Sequence, residues 1–345
     1  MNYRLVFLLF CALPLIGQAQ DTGLQELINR RQYTAVTDKV ETLTAKDSAD
    51  YNTMYAIGQA YEGLLRHRNA YNFYHLCFKM DTTNTDILNT LARTAVNIGK
   101  GGEAEKLFRK VLETDSLNFY ANHQLARLYF QTGDYEKAIE QYTNLITYND
   151  QNSALLAGLG DCYTKLEQYF PATSSYFLAY NYNRENAGLA STLINSMLRM
   201  GGDYAEEALA ICDTALYYTP GNRQIIRNKG MALYMNKRYA EADSLYTSLM
   251  EDGDSTYITL KYGGASRYHA GKYLDSVEPL EAAYKADTTS IDVCLFLGSA
   301  LGKTFDRQRA LALFDKAEKS MQPPAAYLTQ LKMFRAETYM KDGQR

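Results

Sequence analysis

The sequence predicts an all-α chain in which one helix–turn–helix unit is stacked many times over, an α-solenoid. Three observations carry this expectation. A small residue recurs at Ala70, Ala104, Ala138, Ala172, Ala208, Ala242, Ser276 and Ala310, separated by 34 residues at every step but one, where the gap is 36. Four positions on from each comes an aromatic or apolar residue (Tyr74, Phe108, Tyr142, Tyr176, Cys212, Tyr246, Leu280, Phe314). Another apolar residue follows three beyond that, so all three lie on one helical stripe. The third observation is compositional: 345 residues hold 30 Tyr, no Trp and only 6 Pro, as expected where a repeated slot asks for Tyr and helices run uninterrupted.

The elements follow in order. Arg4 is the only charge before an apolar run from Leu5 to Ile16, which is too short to span a bilayer and contains Pro14; Gly17 and Ala19 then supply small residues. This reads as a signal peptide, residues 1–19, cleaved after Ala19, with residues 20–345 left as the solenoid. Phe10 precedes Cys11, where a lipid-anchored leader would carry a small residue.

Beyond the leader, each unit opens with a helix marked by an apolar–small pair and a Tyr three residues on, as in Ile57-Gly58 with Tyr61, Leu125-Ala126 with Tyr129 and Leu159-Gly160 with Tyr163. A turn and an aromatic lead into the second helix, at Gly133 with Tyr135, at Tyr169, at Tyr239 and at Gly271 with Tyr273. The closing turn ends on Asn84, Asn118, Asn152, Asn186 or Asn222, a residue suited to cap the next helix. The recurring Tyr positions are core slots where a ring packs between helices and its hydroxyl reaches a polar edge.

This pattern resembles the tetratricopeptide repeat, whose 34-residue unit carries Leu-Gly, Tyr, Ala, an aromatic, Ala and Pro at fixed offsets. The resemblance implies a right-handed superhelix of about nine repeats, at 21–50, 51–84, 85–118, 119–152, 153–186, 187–222, 223–256, 257–290 and 291–324, with a capping helix over 325–341. It departs from the family in lacking the early Trp, in placing Pro only at Pro220 in the closing turns, and in a two-residue insertion at Gly201-Gly202.

Several function classes are excluded or disfavoured. A net charge of −3 gives no overall pull toward nucleic acid, and beyond the leader no apolar stretch reaches membrane-spanning length. The four remaining cysteines, Cys77, Cys162, Cys212 and Cys294, sit within apolar helical patterns far apart in sequence, and are expected as buried thiols rather than disulfides. Gly298 to Thr304 imitates a phosphate-binding loop but has one residue too few between its glycines, and it falls on a helix. His67, His75, His123 and His269 have no metal-ligand spacing, and Asp252-Gly253-Asp254 lacks the rest of a calcium loop. No cofactor, metal site or catalytic residue is expected.

The resemblance implies that one stripe of each first helix lines a concave surface. Read off here, it carries Tyr120, His123, Arg127, Phe130, Asn195, Arg199, Arg227, Tyr234, Lys261, Tyr268, His269 and Lys303, in which cations outnumber anions. Arg and exposed aromatics suit a protein partner. The expected function is therefore a non-enzymatic interaction scaffold in the bacterial cell envelope, periplasmic or associated with the outer membrane, whose groove from Arg127 to Lys303 holds an extended or helical segment of a partner protein, with Arg and Lys meeting its carboxylates. The family's chaperone clamp is not matched, since Lys261 is followed by Ala265 and Arg227 by Met231 at the decisive spacing. The alternative is a glycan- or peptidoglycan-handling protein using groove Tyr and Arg. For hydrolysis, however, Asp161 has no obvious second carboxylate facing it.

Overall fold

A computed structural model describes residues 23–42, 50–320 and 324–340. The expected leader at 1–19 lies outside the described residues. All regular structure among the described residues is helical, and the chain groups into two compact units, one up to Asp150 and one from Gln151.

The first unit begins with helix α1 (residues 23–29), the short α2 (Tyr33–Thr37) and a 3-10 turn over Asp38–Thr42. Three regular hairpins follow: α3 (Tyr51–Gly63) with α4 (His67–Met80), α5 (Thr85–Asn97) with α6 (Gly101–Thr114), and α7 (Phe119–Thr132) with α8 (Tyr135–Tyr148).

The second unit contains α9 (Ser153–Lys165) with α10 (Tyr169–Tyr182), α11 (Ala187–Met200) with α12 (Ala205–Tyr218), and α13 (Arg223–Met235) with α14 (Tyr239–Glu251). It continues with α15 (Tyr257–His269) and α16 (Tyr273–Ala286), α17 (Ile291–Lys303) and α18 (Arg307–Ser320), and ends in α19 (Ala325–Met340). Within each unit a second helix packs on its own first helix and on the first helix of the next hairpin, the nearest-neighbour stacking of a solenoid.

The closing Asn residues do what their type suggests. Asn84 Oδ1 accepts from the Asp86 and Ile87 N–H groups, Asn152 from Ala154 and Leu155, Asn222 from Gln224 and Ile225, and Asn118 and Asn186 from Ala121 and Leu189. Each cap contributes about 1 kcal/mol. Inside every regular hairpin except that of α11 and α12 the turn passes through a left-handed residue. Gly99, Gly133 and Gly271 take it without strain, while Leu65, Glu167, Lys237 and Phe305 hold the same conformation, at φ of 58° to 69°. At the insertion the chain instead runs through Gly201 (φ 118°) and a 3-10 turn over Gly202–Tyr204 before α12 begins.

Small against large sets the distance between the two helices of a hairpin. A Cβ placed on Gly58 would lie 2.5 Å from the Tyr74 ring, on Gly160 2.6 Å from Tyr176, on Gly230 2.6 Å from Tyr246, and on Gly298 2.6 Å from Phe314. Where the repeat places Cys212 in the large slot, the small slot is filled by Ile194, and both are fully buried, so volume is conserved by exchange. This assigns the phosphate-loop imitation in α17: Gly298 is a packing residue. The cysteines are free thiols, each fully buried. Burial pushes Cys77, Cys162 and Cys212 up to about 12 and Cys294 to about 11.

Candidate partner-binding face

In the first unit the expected stripe residues Tyr120, His123, Arg127 and Phe130 all fall on α7. Tyr120 is exposed and lies edge-on to Phe108, with ring centroids 6.3 Å apart. Together with Tyr55 and Arg93 it lines a cavity of about 500 Å³. His123 stacks on Phe119 at 5.9 Å and meets the Tyr142 edge at 6.5 Å; burial, and then Arg127, lower its pKa, so it is neutral at pH 7. Phe130 packs on Tyr135. Arg127 is exposed, and no carboxylate pairs with it among the described residues. Arg93, one helix earlier, is held by Glu62, which also accepts from the Tyr74 hydroxyl at 3.0 Å.

In the second unit the remaining eight stripe residues divide into three groups. Asn195 and Arg199 stand exposed one turn apart on α11, and Arg199 has no carboxylate partner among the described residues. The other cations are committed. Arg227 Nη1 lies 2.7 Å from Asp254 Oδ2, in a pair where the Asp254 side chain is only 2% exposed. Burial works against the Asp254 charge, but donation by the Thr256 backbone and hydroxyl and by Arg227 outweighs it and holds the carboxyl below its ordinary pKa. Lys261 meets Asp292 at 2.9 Å and Lys303 meets Glu337 at 3.0 Å. In both lysines burial opposes the charge, and the partner carboxylate with nearby Tyr residues raises the pKa in spite of it.

Tyr234, Tyr268 and His269 form an aromatic wall. His269 stacks on Tyr239 at 4.4 Å and meets Phe296 at 5.1 Å; Tyr234 packs between Tyr239 and Tyr262. Burial lowers the His269 pKa. Tyr268 is buried, shares a 2.7 Å hydrogen bond with Ser299, and touches Phe334 of α19. Beside this wall lies a cavity of about 640 Å³. It brings Tyr234 and Lys261 together with Leu198, Met231, Met235, Tyr262, Ala265, Asp292 and Phe296, and α19 closes one side with Ala326, Tyr327 and Gln330.

Sequence reasoning missed Asp292 and the residues of α19. The repeat register could have found Asp292, which occupies the second position of its unit. No period addresses α19, whose Phe334, Glu337 and Thr338 meet Tyr268, Lys303 and Gly302. A helix thus already lies on the first-helix face at this end of the unit. Among the described residues no cluster of His, Cys, Asp or Glu could hold a metal ion, and no helix is long and apolar enough to cross a membrane.

Comparison with known proteins finds relatives built from helical repeats. The family model for "Anaphase-promoting complex, cyclosome, subunit 3" matches residues 97–179. A TPR repeat-containing protein of Bacillus subtilis, YpiA, is 26% identical over 176 residues, covering 51% of this chain and 41% of the relative. Tetratricopeptide repeat protein 8 of Caenorhabditis elegans is 24% identical over 197 residues, 57% of this chain and 39% of that one. The chain has the stacked-hairpin fold of tetratricopeptide-repeat proteins and is similar to them in sequence. It spans about two-fifths of the length of these curated relatives. Among solved structures, PilW, described as a widely conserved type IV pilus biogenesis factor, superposes with a TM-score of 0.50 at 16% identity over 62% of this chain and 98% of its own; at that identity the likeness is one of fold. In the second unit the cavity and the aromatic wall lie together, and Arg199 stands exposed on α11, next in sequence to the cavity residue Leu198.

Proposed function

We propose that this protein is a non-catalytic scaffold, exported to the bacterial cell envelope, that holds a helical segment of a partner protein on the first-helix face of its second unit. One observation carries the reading: α19 already sits on that face, with Phe334 against Tyr268 and Glu337 on Lys303. An aromatic and an acid, one turn apart on a helix, are the chemistry this surface accepts. The partner segment would place an apolar side chain in the cavity beside Tyr234, Met231 and Phe296, and a carboxylate on Arg199. In the first unit Arg127 and Tyr120 offer the same pairing of an unpaired cation with an exposed ring. Export is supported by the composition of residues 1–19.

The test is capture of the partner by crosslinking the tagged protein in its native cells, with Arg199→Glu beside the wild type. Arg199 is exposed and unpaired, so reversal leaves the fold intact and reverses the charge presented. The reading expects a defined protein partner whose capture falls roughly tenfold or more in the variant. Equal capture, or retention of the protein on purified cell-wall glycan with no protein partner, overturns it.

A further inference from the structure

Among the described helices of eight residues or more, α10 alone contains no charged residue. Its inner side is core: Ala172, Tyr176, Ala179 and Tyr180 are buried. Its outer side is also apolar, with Phe170 68%, Phe177 42%, Leu178 47% and Tyr182 46% exposed. Phe170 and Phe177 flank Ser174 on one helical stripe, and Leu178 and Tyr182 continue its edge.

The repeat register shows how unusual this is. The positions of Phe170, Phe177 and Leu178 are held by Glu136, Thr143 and Asn144 in α8, by Gly102, Arg109 and Lys110 in α6, and by Glu206, Asp213 and Thr214 in α12. Other second helices expose single apolar residues, such as Leu76 on α4 and Leu274 on α16, but among the described second helices only α10 holds large apolar side chains at all three of these positions. A helix apolar on every side is normally buried on every side.

We propose that the outer face of α10 is the two-fold contact of a homodimer, its occupant being α10 of a second copy. Two features select a second copy. At 150–250 Å² for a fully buried aromatic side chain, the four exposed residues present about 400 Å² of apolar surface, or about 800 Å² from two copies. Interfaces are roughly 60% apolar, so the total is about 1,300 Å², within the range of a specific, stable contact. A two-fold interface also sets each surface against itself, which penalises any charge near its centre, and this helix has none. A helix lying on lipid would carry Lys or Arg along its flank, and α10 offers neither.

Sedimentation equilibrium of the protein, from low to high micromolar concentration, tests this. The wild type is expected to show twice the monomer mass at the upper end. Phe177→Glu sets two carboxylates against each other and weakens association roughly tenfold or more; the control Tyr217→Glu, at a still more exposed ring on α12, leaves it unchanged. Ser174→Cys places a thiol at the centre of the stripe, and under mild oxidation it is expected to link two copies through one disulfide, the oxidant taking up the two electrons and two protons. If Phe177→Glu loses helicity, the Ser174→Cys crosslink decides alone. A wild type that stays monomeric throughout, a dimer of unchanged strength in Phe177→Glu, absence of the Ser174→Cys crosslink, or a monomer that binds neutral lipid vesicles through Phe177 overturns the proposal.

Discussion

Replacing Gly230 by Val tests whether small-against-large packing sets the helix spacing. A Cβ at Gly230 would lie 2.6 Å from Tyr246 Cζ, 2.8 Å from Cε2 and 3.0 Å from the hydroxyl oxygen. Ordinary contact begins near 3.4 Å, so the ring would have to retreat by about 1 Å. It has no room: Tyr246 is fully buried, its hydroxyl donates to the Arg227 carbonyl at 3.0 Å, and Gly263 packs against its other side. Overpacking of this kind costs about 1–3 kcal/mol, and leaving Gly returns only a few tenths as helix propensity. Tyr246→Cys alone should cost about 3–5 kcal/mol as a cavity. The native Ile194 and Cys212 pair shows that the exchanged arrangement packs, so the double variant Gly230→Val with Tyr246→Cys should be more stable than the sum of the single effects by about 1–3 kcal/mol. Urea unfolding followed by far-ultraviolet circular dichroism reads all four proteins. Strict additivity, or a Gly230→Val protein as stable as the wild type, would refute the packing account.

Three further outcomes follow from local geometry. Lys237→Gly relieves a left-handed residue held at φ 60° and should raise stability by about 0.5–1 kcal/mol, whereas Gly133→Ala at the equivalent turn should lower it by a similar amount, both seen as shifts in thermal midpoint. Asp254→Asn should destabilise at pH 7 by about 1–3 kcal/mol through loss of the charged pair with Arg227. Because the Asp254 carboxyl is held below its unfolded pKa, its contribution is complete above about pH 4 and lost as pH falls through the folded value, so wild-type and variant melting curves should converge in acid. With thiols fully buried and their pKa raised to about 11 or 12, Cys77, Cys162, Cys212 and Cys294 should resist iodoacetamide at pH 8 in the folded protein and react together in urea; mass spectrometry counts the adducts.

The period of 34 made most of the architecture legible. It set the hairpins, the capping Asn residues and the small slot at Gly58, Gly160, Gly230 and Gly298, since each is a local requirement repeated at a fixed offset. The same register located Tyr234 and Lys261 on the face where the cavity forms. What it left out was pairing. Arg227, Lys261 and Lys303 read as available cations, but their carboxylates stand 27 to 34 residues on, at Asp254 in the closing turn of the same unit, at Asp292 in the next unit and at Glu337 in α19, so reading the first-helix stripe alone could not find them. The course of α19 was illegible for a different reason. It lies beyond the last repeat, and its docking depends on Phe334 and Thr338 finding Tyr268 and Gly302, contacts no period encodes. The apolar outer face of α10 was visible in the sequence, but only as a departure from the register at Phe170 and Phe177.

A photoreactive residue at position 231, inside the cavity of the second unit, gives the most direct measurement of where a partner lies. Mapping the adduct by mass spectrometry should identify one partner segment of amphipathic helical pattern, with an apolar residue at the crosslink and an acidic residue about one turn away, and the adduct should disappear in Arg199→Glu. No protein adduct at position 231, or an adduct indifferent to Arg199→Glu, would contradict the assignment of this face as the one that binds.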